Sequence, residues 1–302
     1  MQTRSFSRIG NIDIGSNSIK YKEFSYSNKS KKIKLIKTKR INIRLGRDVF
    51  KFKRIRNKTK NNLYKAMKRM SEDISENNLQ YFDVVATSAI RDSKNRKAIC
   101  KQIKKIFSTE CRVLSGKDEA KLLSYASYSH DIKNCLLVDV GGGSTELYFT
   151  DEKGVEYLES FNIGSVRIKQ NRDKDKEWIA LSDFIKNIGI ENIKSVVGIG
   201  GNIREIVNGI NSNIELQSVS LKDLKDFVNK FSYCSNKKRI SNYNFSEYRV
   251  DVAEYTAKIF IYIMKQVPHS RLKLLKYCIS EGSVLDSISN QKKKSELKIS
   301  VA

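Results

Sequence analysis

Residues 136–146 read Leu136-Leu137-Val138-Asp139-Val140-Gly141-Gly142-Gly143-Ser144-Thr145-Glu146. The apolar run predicts a buried strand, and the three glycines predict a sharp turn at its end. A strand that ends in this way places a carboxylate beside free backbone N–H groups, which together can hold phosphate near a metal ion. Residues 9–18 read Ile-Gly-Asn-Ile-Asp-Ile-Gly-Ser-Asn-Ser and repeat the pattern of strand, Asp, apolar residue, Gly and Ser. Two such turns predict a duplicated nucleotide- or phosphate-binding fold.

The charge of the chain is strongly positive and unevenly distributed. The 302 residues carry a formal net charge of +25, and residues 1–70 hold 22 Lys and Arg against three acids, which gives +19 in that segment. Such a surface attracts polyanions over a long range, and salt weakens the attraction. A genome biased towards Lys, Asn and Ile would also produce a basic chain. The charge therefore indicates a polyanion without identifying it, and no nucleic-acid recognition motif accompanies it.

Cysteine usage and hydropathy predict a cytoplasmic protein. Five scattered cysteines and two histidines offer no spacing typical of a zinc site, so reduced thiols are expected. No run approaches about 20 apolar residues, so we expect no membrane span. The N-terminal residues lack the apolar region of a secretory signal.

The order of predicted elements is that of an α/β protein with two similar sheets. The predicted strands are 9–14, 19–26, 32–38, 82–87, 111–114, 135–140, 145–150, 155–162 and 195–199. The predicted helices are 60–75, 95–107, a helix from about 117, 176–188, a helix after Gly200-Gly201, 221–231 and 246–266. At this length two domains with their own cores are expected. The repeat places them at 1–125 and 126–302, with the C-terminal helix as a candidate to complete the first domain.

Five stretches, in order along residues 9–205, resemble the Ppx/GppA family of exopolyphosphatases and guanosine pentaphosphate phosphohydrolases. They are Asp13-Ile-Gly-Ser-Asn-Ser18, Ala86-Thr-Ser-Ala-Ile-Arg91, Ser115-Gly-Lys-Asp-Glu-Ala120, Asp139-Val-Gly-Gly-Gly-Ser-Thr-Glu146 and Gly198-Ile-Gly-Gly-Asn202. The resemblance implies two actin-like (ribonuclease H-like) domains with an interdomain cleft. It also implies the short, two-domain form of the family, because the chain has no room for the extra helical domains of the long members.

The resemblance implies a catalytic base and a metal site. The family's base is the second acid of its Ser-Gly-x-acid-acid-Ala motif, which falls on Glu119. Hydrolysis of a terminal phosphoryl group needs such a carboxylate to orient or deprotonate an in-line water, although an acid here is also typical of an ordinary helix N-terminal turn. Asp139 and Glu146, with Asp13, resemble the metal-associated acids for Mg²⁺ or another divalent cation. Without a metal, Asp139 would cap the turn amides and Glu146 would be a solvated strand residue.

The two glycine and serine turns and one arginine are the predicted phosphate-binding groups. Glycine lets the backbone N–H groups approach an anion closely, and the planar guanidinium suits phosphate oxygens. These residues are Gly15, Ser16, Asn17, Ser18, Arg91, Gly141, Gly142, Gly143, Ser144 and Thr145. Arg44, Arg167 and Arg249 are weaker candidates.

The predicted activity is that of an exopolyphosphatase, which removes the terminal phosphate of inorganic polyphosphate as orthophosphate. The basic first quarter favours a long anionic chain over a single nucleotide. The close alternative is hydrolysis of guanosine pentaphosphate to the tetraphosphate, a reaction of the stringent response, and another is a non-catalytic binder of polyphosphate or alarmone. The family is placed in the superfamily of sugar kinases, actin and heat-shock chaperones. A kinase or chaperone of that superfamily is less favoured, since it needs an adenosine pocket and Asn202 replaces the Thr usual after Gly-Gly in the Gly198–Asn202 stretch. A homodimer is compatible with this reading, and no specific nucleic-acid partner is expected.

Overall fold

The computed structural model describes residues 6–27, 32–75, 79–211 and 218–299. The chain forms two compact units, Met1–Ser115 with Ile279–Ala302, and Gly116–Cys278. The predicted division after residue 125 therefore differs from the observed one, which falls after Ser115. The polar residues Ser27-Asn28-Lys29-Ser30 predict a turn between the second and third strands, and most of that turn lies outside the described residues.

The first unit contains a five-stranded mixed sheet with strand order β3-β2-β1-β4-β5. The strands are β1 (Phe6–Ile14), β2 (Ser18–Ser27), β3 (Ile33–Asn42), β4 (Tyr81–Ala86) and β5 (Cys111–Val113). β1, β2 and β3 form an antiparallel meander, whereas β4 and β5 continue the sheet in parallel. A register shift between Glu23 and Phe24 marks a bulge in the β2–β3 pair. Because β3 stands at one end of the strand order, it is an edge strand of this sheet.

The second unit repeats this design in a six-stranded sheet with strand order β10-β11-β9-β6-β7-β8. The strands are β6 (Cys135–Val140), β7 (Thr145–Thr150), β8 (Glu156–Phe161), β9 (Ser195–Ile199), β10 (Ser218–Val219) and β11 (Leu272–Leu275). β6, β7 and β8 form the antiparallel meander, β9 and β11 extend it in parallel, and β10 is added antiparallel at the edge. The predicted α/β class with two similar domains is confirmed.

Helices cover both sheets. They are α1 (Leu45–Phe52), α2 (Asn57–Ser75), α3 (Ser88–Arg91), α4 (Arg96–Phe107), α5 (Gly116–Leu122), α6 (Ser124–His130), α7 (Ser165–Lys169), α8 (Asp175–Ile188), α9 (Gly201–Ile210), α10 (Leu221–Ser232), α11 (Asn236–Tyr243), α12 (Ala253–Gln266) and α13 (Ile279–Ile299), with a 3₁₀ turn at Ile190–Asn192. The predicted helix 246–266 was wrong at its start, because the helix begins at Ala253. Within the described ranges, no helix is both long and apolar enough to cross a membrane.

The C-terminal helix α13 belongs to the first unit, as the sequence suggested. It packs on β1 and β4, where Val284 joins Ile9 and Phe24 in a small core. A polar network fixes the same contact: Arg112 donates to Asp286 at 2.8 Å and to Asp83 at 3.0 Å. Because a buried carboxylate is costly without a partner, this network fixes how α13 sits on the sheet.

Two cores lie on opposite faces of the second sheet because successive side chains of a strand alternate. Leu136 and Val138 belong to the larger core, together with Leu147. Leu137 and Tyr148 belong to the other core, which α6 covers through Ala126. The alternation therefore assigns the acids of β6 and β7 to the face that α5 and α6 cover.

Candidate phosphate and metal site

A row of three polar side chains crosses the second sheet. The strand register pairs Asp139 with Glu146 and Glu146 with Ser160. Asp139 is 9% exposed and Glu146 is 1% exposed, so the reading of Glu146 as a solvated strand residue is wrong. The Ser160 hydroxyl donates to Glu146 Oε1 at 2.9 Å. Two buried carboxylates therefore stand directly cross-strand, where like charges repel.

Glu119 lies on the helix that covers this row. It sits in the first turn of α5, as predicted, and is 2% exposed. α5 packs on β7 and β8, so closely that a β-carbon on Gly116 would stand 2.8 Å from Ser160 Oγ. Residues three apart share a helix face. Glu119 therefore lies on the face of α5 that approaches Ser160 and Glu146.

The carbonyl groups of the glycine turn after β6 accept hydrogen bonds from the backbone of α7. Gly141 N–H donates to the Ser144 carbonyl at 2.9 Å and closes the turn. The N–H of Ser165 donates to the Gly141 carbonyl, and the Val166 N–H donates to that of Gly142. None of the backbone–backbone hydrogen bonds of this turn within the described part of the chain uses the N–H groups of Gly142, Gly143 or Ser144. Those donors suit an anion.

Arg167 and Gly164 support the same turn. Arg167 is buried and its Nε donates to the Gly143 carbonyl at 2.8 Å, while Thr145 Oγ1 donates to the Ile163 carbonyl at 2.6 Å. The observed contacts of Arg167 and Thr145 thus hold the turn in shape. A β-carbon on Gly164 would lie 2.5 Å from the Gly142 carbonyl oxygen and from backbone atoms of Gly143. Its φ of −147° is ordinary, so steric contact alone requires glycine.

We expect Gly164→Ala to displace the glycine turn. Phosphate-releasing activity should fall about 10-fold or more, and overpacking should lower the free energy of unfolding by roughly 1–3 kcal/mol. The matched control is Gly154→Ala, which meets nothing within 4 Å although φ is +85°. The control should lose stability through strain, about 1–2 kcal/mol, and keep its activity. Phosphate release and urea unfolding measure both effects; equal activity in the two variants would contradict the steric argument.

The turn in the first unit has the same construction. Gly15 N–H donates to the Ser18 carbonyl at 3.1 Å, which matches the Gly141–Ser144 bond. Ser16 and Ser88 share a hydroxyl hydrogen bond of 3.0 Å, so the first residue of α3 lies at the turn. Asn17 is half-buried and has hydrogen-bonding or electrostatic contacts. The first unit therefore brings together the predicted residues from Gly15 to Ser18.

Arg91 ends the short helix α3 that starts at this turn. Its Nη1 donates to the Leu114 carbonyl at 3.0 Å, and its Nε lies 3.7 Å from Asp92. Arg44 is exposed and precedes α1. Both arginines thus belong to the first unit, and Arg91 is anchored close to the Gly15–Ser18 turn through Ser88.

The two units differ at one equivalent position. Seven residues after the strand acid, the second unit has Glu146 opposite Asp139, but the first has Lys20 opposite Asp13. Lys20 Nζ lies 2.8 Å from Asp13 Oδ2, and Asp13 is 3% exposed. The Asp13 carboxylate of the first unit is therefore paired with a lysine at this position. In the second unit, the residue opposite Asp139 is another carboxylate, Glu146.

The second unit's carboxylate pair fits a hard divalent cation. Oxygen donors are what magnesium prefers, and a cation would relieve the repulsion between Asp139 and Glu146. Gly200, whose φ is +93°, lies against Asp139: a β-carbon there would be 2.8 Å from Oδ1. The described residues contain no group of three or more His, Cys, Asp or Glu side chains able to hold a metal. Two protein ligands, completed by water and phosphate, are typical of magnesium.

Sequence reasoning missed Ser160 and Gly164. Both lie outside the motifs, and only strand register or packing brings them to the site. Gly116 belongs to the Ser115–Ala120 motif, but its close packing on Ser160 could not be predicted. Arg249, a weaker candidate, forms an ion pair with Glu205. Its guanidinium lies where a β-carbon on Gly201 would be, 2.1 Å from Nη2.

The two similar mixed sheets, each with a hairpin turn after an Asp-bearing strand, define an α/β protein of two similar units. Solved structures share this fold. An exopolyphosphatase from Cytophaga hutchinsonii superimposes with a TM-score of 0.78 at 18% identity, and the match covers 93% of this chain and 98% of the other. The family model of the Ppx/GppA phosphatase family matches residues 26–291. The chain therefore belongs to the Ppx/GppA phosphatase family.

Two curated relatives carry different activities in their names. The bifunctional 3-dehydroquinate synthase/phosphatase of Fusobacterium nucleatum is 30% identical in an alignment 260 residues long, which covers 76% of this chain and 39% of the relative. The guanosine-5'-triphosphate,3'-diphosphate pyrophosphatase of Pseudoalteromonas atlantica is 33% identical over 101 residues, 33% of this chain and 20% of the relative. The matched regions thus span less than half of these two proteins.

Proposed function

We propose that this family phosphatase is an exopolyphosphatase, which hydrolyses the terminal phosphate of inorganic polyphosphate and releases orthophosphate. The observation that carries the proposal is the buried Glu119 on the same sheet face as the Asp139–Glu146 pair, beside a glycine turn. A carboxylate, a candidate cation site and anion-binding amides in one unit are the parts that phosphoryl hydrolysis requires.

In the proposed reaction each residue of the second unit has one role. Glu119 orients a water molecule in line with the terminal phosphorus atom and accepts its proton. The N–H groups of Gly142, Gly143 and Ser144 bind the phosphate oxygens on which charge develops. Asp139 and Glu146 would hold Mg²⁺ or another divalent cation, which when bound neutralises phosphate charge.

The first unit contributes phosphate contacts in this proposal. The backbone of the Gly15–Ser18 turn would bind phosphate oxygens as its counterpart does, and Arg91 would add a guanidinium. Because Lys20 already neutralises Asp13, we assign the metal chiefly to the second unit. The role of Asp13 towards a metal stays a prediction.

Two observations favour polyphosphate over guanosine pentaphosphate. The first 70 residues carry an excess of 19 positive charges, which suits a long anion. In the Gly198–Asn202 stretch, Asn202 replaces the Thr usual in the family and the Arg249 side chain lies against Gly201, and neither feature favours a nucleoside contact there. The name of the Pseudoalteromonas atlantica relative favours the alternative substrate.

Initial rates of phosphate release distinguish the two substrates. We expect kcat/KM for long-chain polyphosphate to exceed that for guanosine pentaphosphate by at least about 10-fold, which corresponds to about 1.4 kcal/mol in transition-state binding. Both rates should fall when magnesium is removed. Faster cleavage of guanosine pentaphosphate would overturn the substrate assignment and leave the hydrolase assignment in place.

A further inference from the structure

A line of cations runs along one side of the first unit. On α2, the exposed side chains of Lys65 and Arg69 are one turn apart, and Asp73 follows one turn later. Asp73 forms an ion pair with Lys39 of β3. The line therefore continues from the helix onto the edge strand.

β3 extends the line with a second lysine on the same face. Lys37 and Lys39 are two residues apart in the strand, and alternate residues of a strand point to one face. The hydrogen bond from Lys39, followed by the charges of Lys39 and Lys37, lowers the pKa of Asp73. Both lysines thus lie near the end of α2, where the ionised Asp73 offsets one of the positive charges of the line.

The line is long enough for an extended anion. Lys58, at the start of α2, is exposed and shares the helix face of Lys65. From residue 58 to residue 73 a helix rises roughly 22 Å. We call the five cations Lys37, Lys39, Lys58, Lys65 and Arg69 the basic edge.

We propose that the basic edge is a docking surface for long inorganic polyphosphate, separate from the glycine turns, a proposal that rests on the exopolyphosphatase activity proposed above. Four of its five cations are lysines, which are point charges without a fixed hydrogen-bonding plane. They suit a flexible anion whose charges repeat along its length. Docking there raises the local concentration of a long chain and leaves a short one unaffected.

The exposed aromatic surface of the first unit favours polyphosphate over nucleic acid. Single-stranded nucleic acids are held by bases that stack on open aromatic faces. Phe52 is an exposed aromatic side chain of the first unit, but Arg56 lies 4.6 Å and Lys51 lies 5.4 Å from its ring centroid. A ring already in contact with two cations is a poor platform for bases.

Binding without turnover tests the proposal independently of catalysis. In a Glu119→Gln background, Lys37→Gln, Lys65→Gln and Arg69→Gln are combined, and fluorescently labelled long-chain polyphosphate is titrated at several salt concentrations. We expect Kd to rise at least about fivefold and the slope of log K against log salt to fall by about 2 for three lost charges. The matched control combines Lys225→Gln, Lys230→Gln and Lys237→Gln, three exposed lysines of the second unit, and should bind nearly as the parent does.

Kinetics with the active enzyme separate the two proposals. In the triple basic-edge variant, KM for long chains should rise at least about fivefold relative to KM for tripolyphosphate. Equal binding by the basic-edge and control variants would overturn the docking surface, whether or not the enzyme cleaves polyphosphate. Tighter binding of single-stranded RNA than of polyphosphate at equal phosphate concentration would overturn it in favour of nucleic acid. Absence of phosphate release from any chain length would instead overturn the proposed function.

Discussion

Glu119→Gln is expected to lower the rate of phosphate release by at least about 100-fold while substrate binding persists. Loss of a general base typically costs 10²–10⁴-fold, and the amide cannot accept the proton of the attacking water. Glu119 is buried and the amide has the same shape, so the fold should be retained. Single-turnover phosphate release measures the chemical step, and titration with labelled polyphosphate measures binding.

The neighbouring acid provides the control for Glu119. Asp118→Asn removes the same charge from the same helix turn, but Asp118 is exposed. We expect its activity to stay within about threefold of the wild type. If Glu119→Gln releases phosphate at the wild-type rate, Glu119 is not the base. A wild-type protein that binds polyphosphate without turnover would support the non-catalytic reading.

Asp139→Asn is expected to lower activity about 100-fold, or about 2.7 kcal/mol of transition-state stabilisation, and to raise stability in the absence of metal. The variant removes one of two buried like charges, so the metal-free protein should melt at a higher temperature. Added Mg²⁺ should raise the Tm of the wild type by mass action but not that of the variant. Thermal melts with and without Mg²⁺ test the site apart from catalysis.

The equivalent acid of the first unit is the matched comparison. Asp13→Asn leaves Lys20 without its carboxylate, so the metal-free protein should be less stable, opposite in sign to Asp139→Asn. The effect of added Mg²⁺ on Tm should remain as in the wild type. An Asp139→Asn variant that retains both its activity and its Mg²⁺-dependent rise in Tm would contradict the metal assignment.

Strands with strong apolar runs could be predicted from the sequence to the residue. The predicted bounds 135–140, 145–150 and 195–199 match β6, β7 and β9. Short elements were missed: α1 has eight residues and β11 has four. Such segments are too short for a periodic pattern to identify them from the sequence, and tertiary packing decides their structure.

The division into units could not be predicted from the repeat alone. The repeat indicates where each hairpin begins, but α5 joins the second unit because it packs on β7 and β8. The C-terminal helix was a candidate for the first unit, and its network with Arg112 and Asp83 shows why it belongs there. Packing across long sequence separations leaves no local pattern.

The sequence by itself determined the family, the two glycine turns and the candidates Glu119, Asp139 and Glu146, because each of these features depends on a short contiguous motif. Only the tertiary structure decided that these three acids belong to one unit and one sheet face, since strand register and the approach of α5 set their positions. It also decided the contrast between the two hairpins. A lysine pairs with the acid in the first unit and a glutamate lies opposite the acid in the second, because the two strand pairs carry different side chains at the same register position.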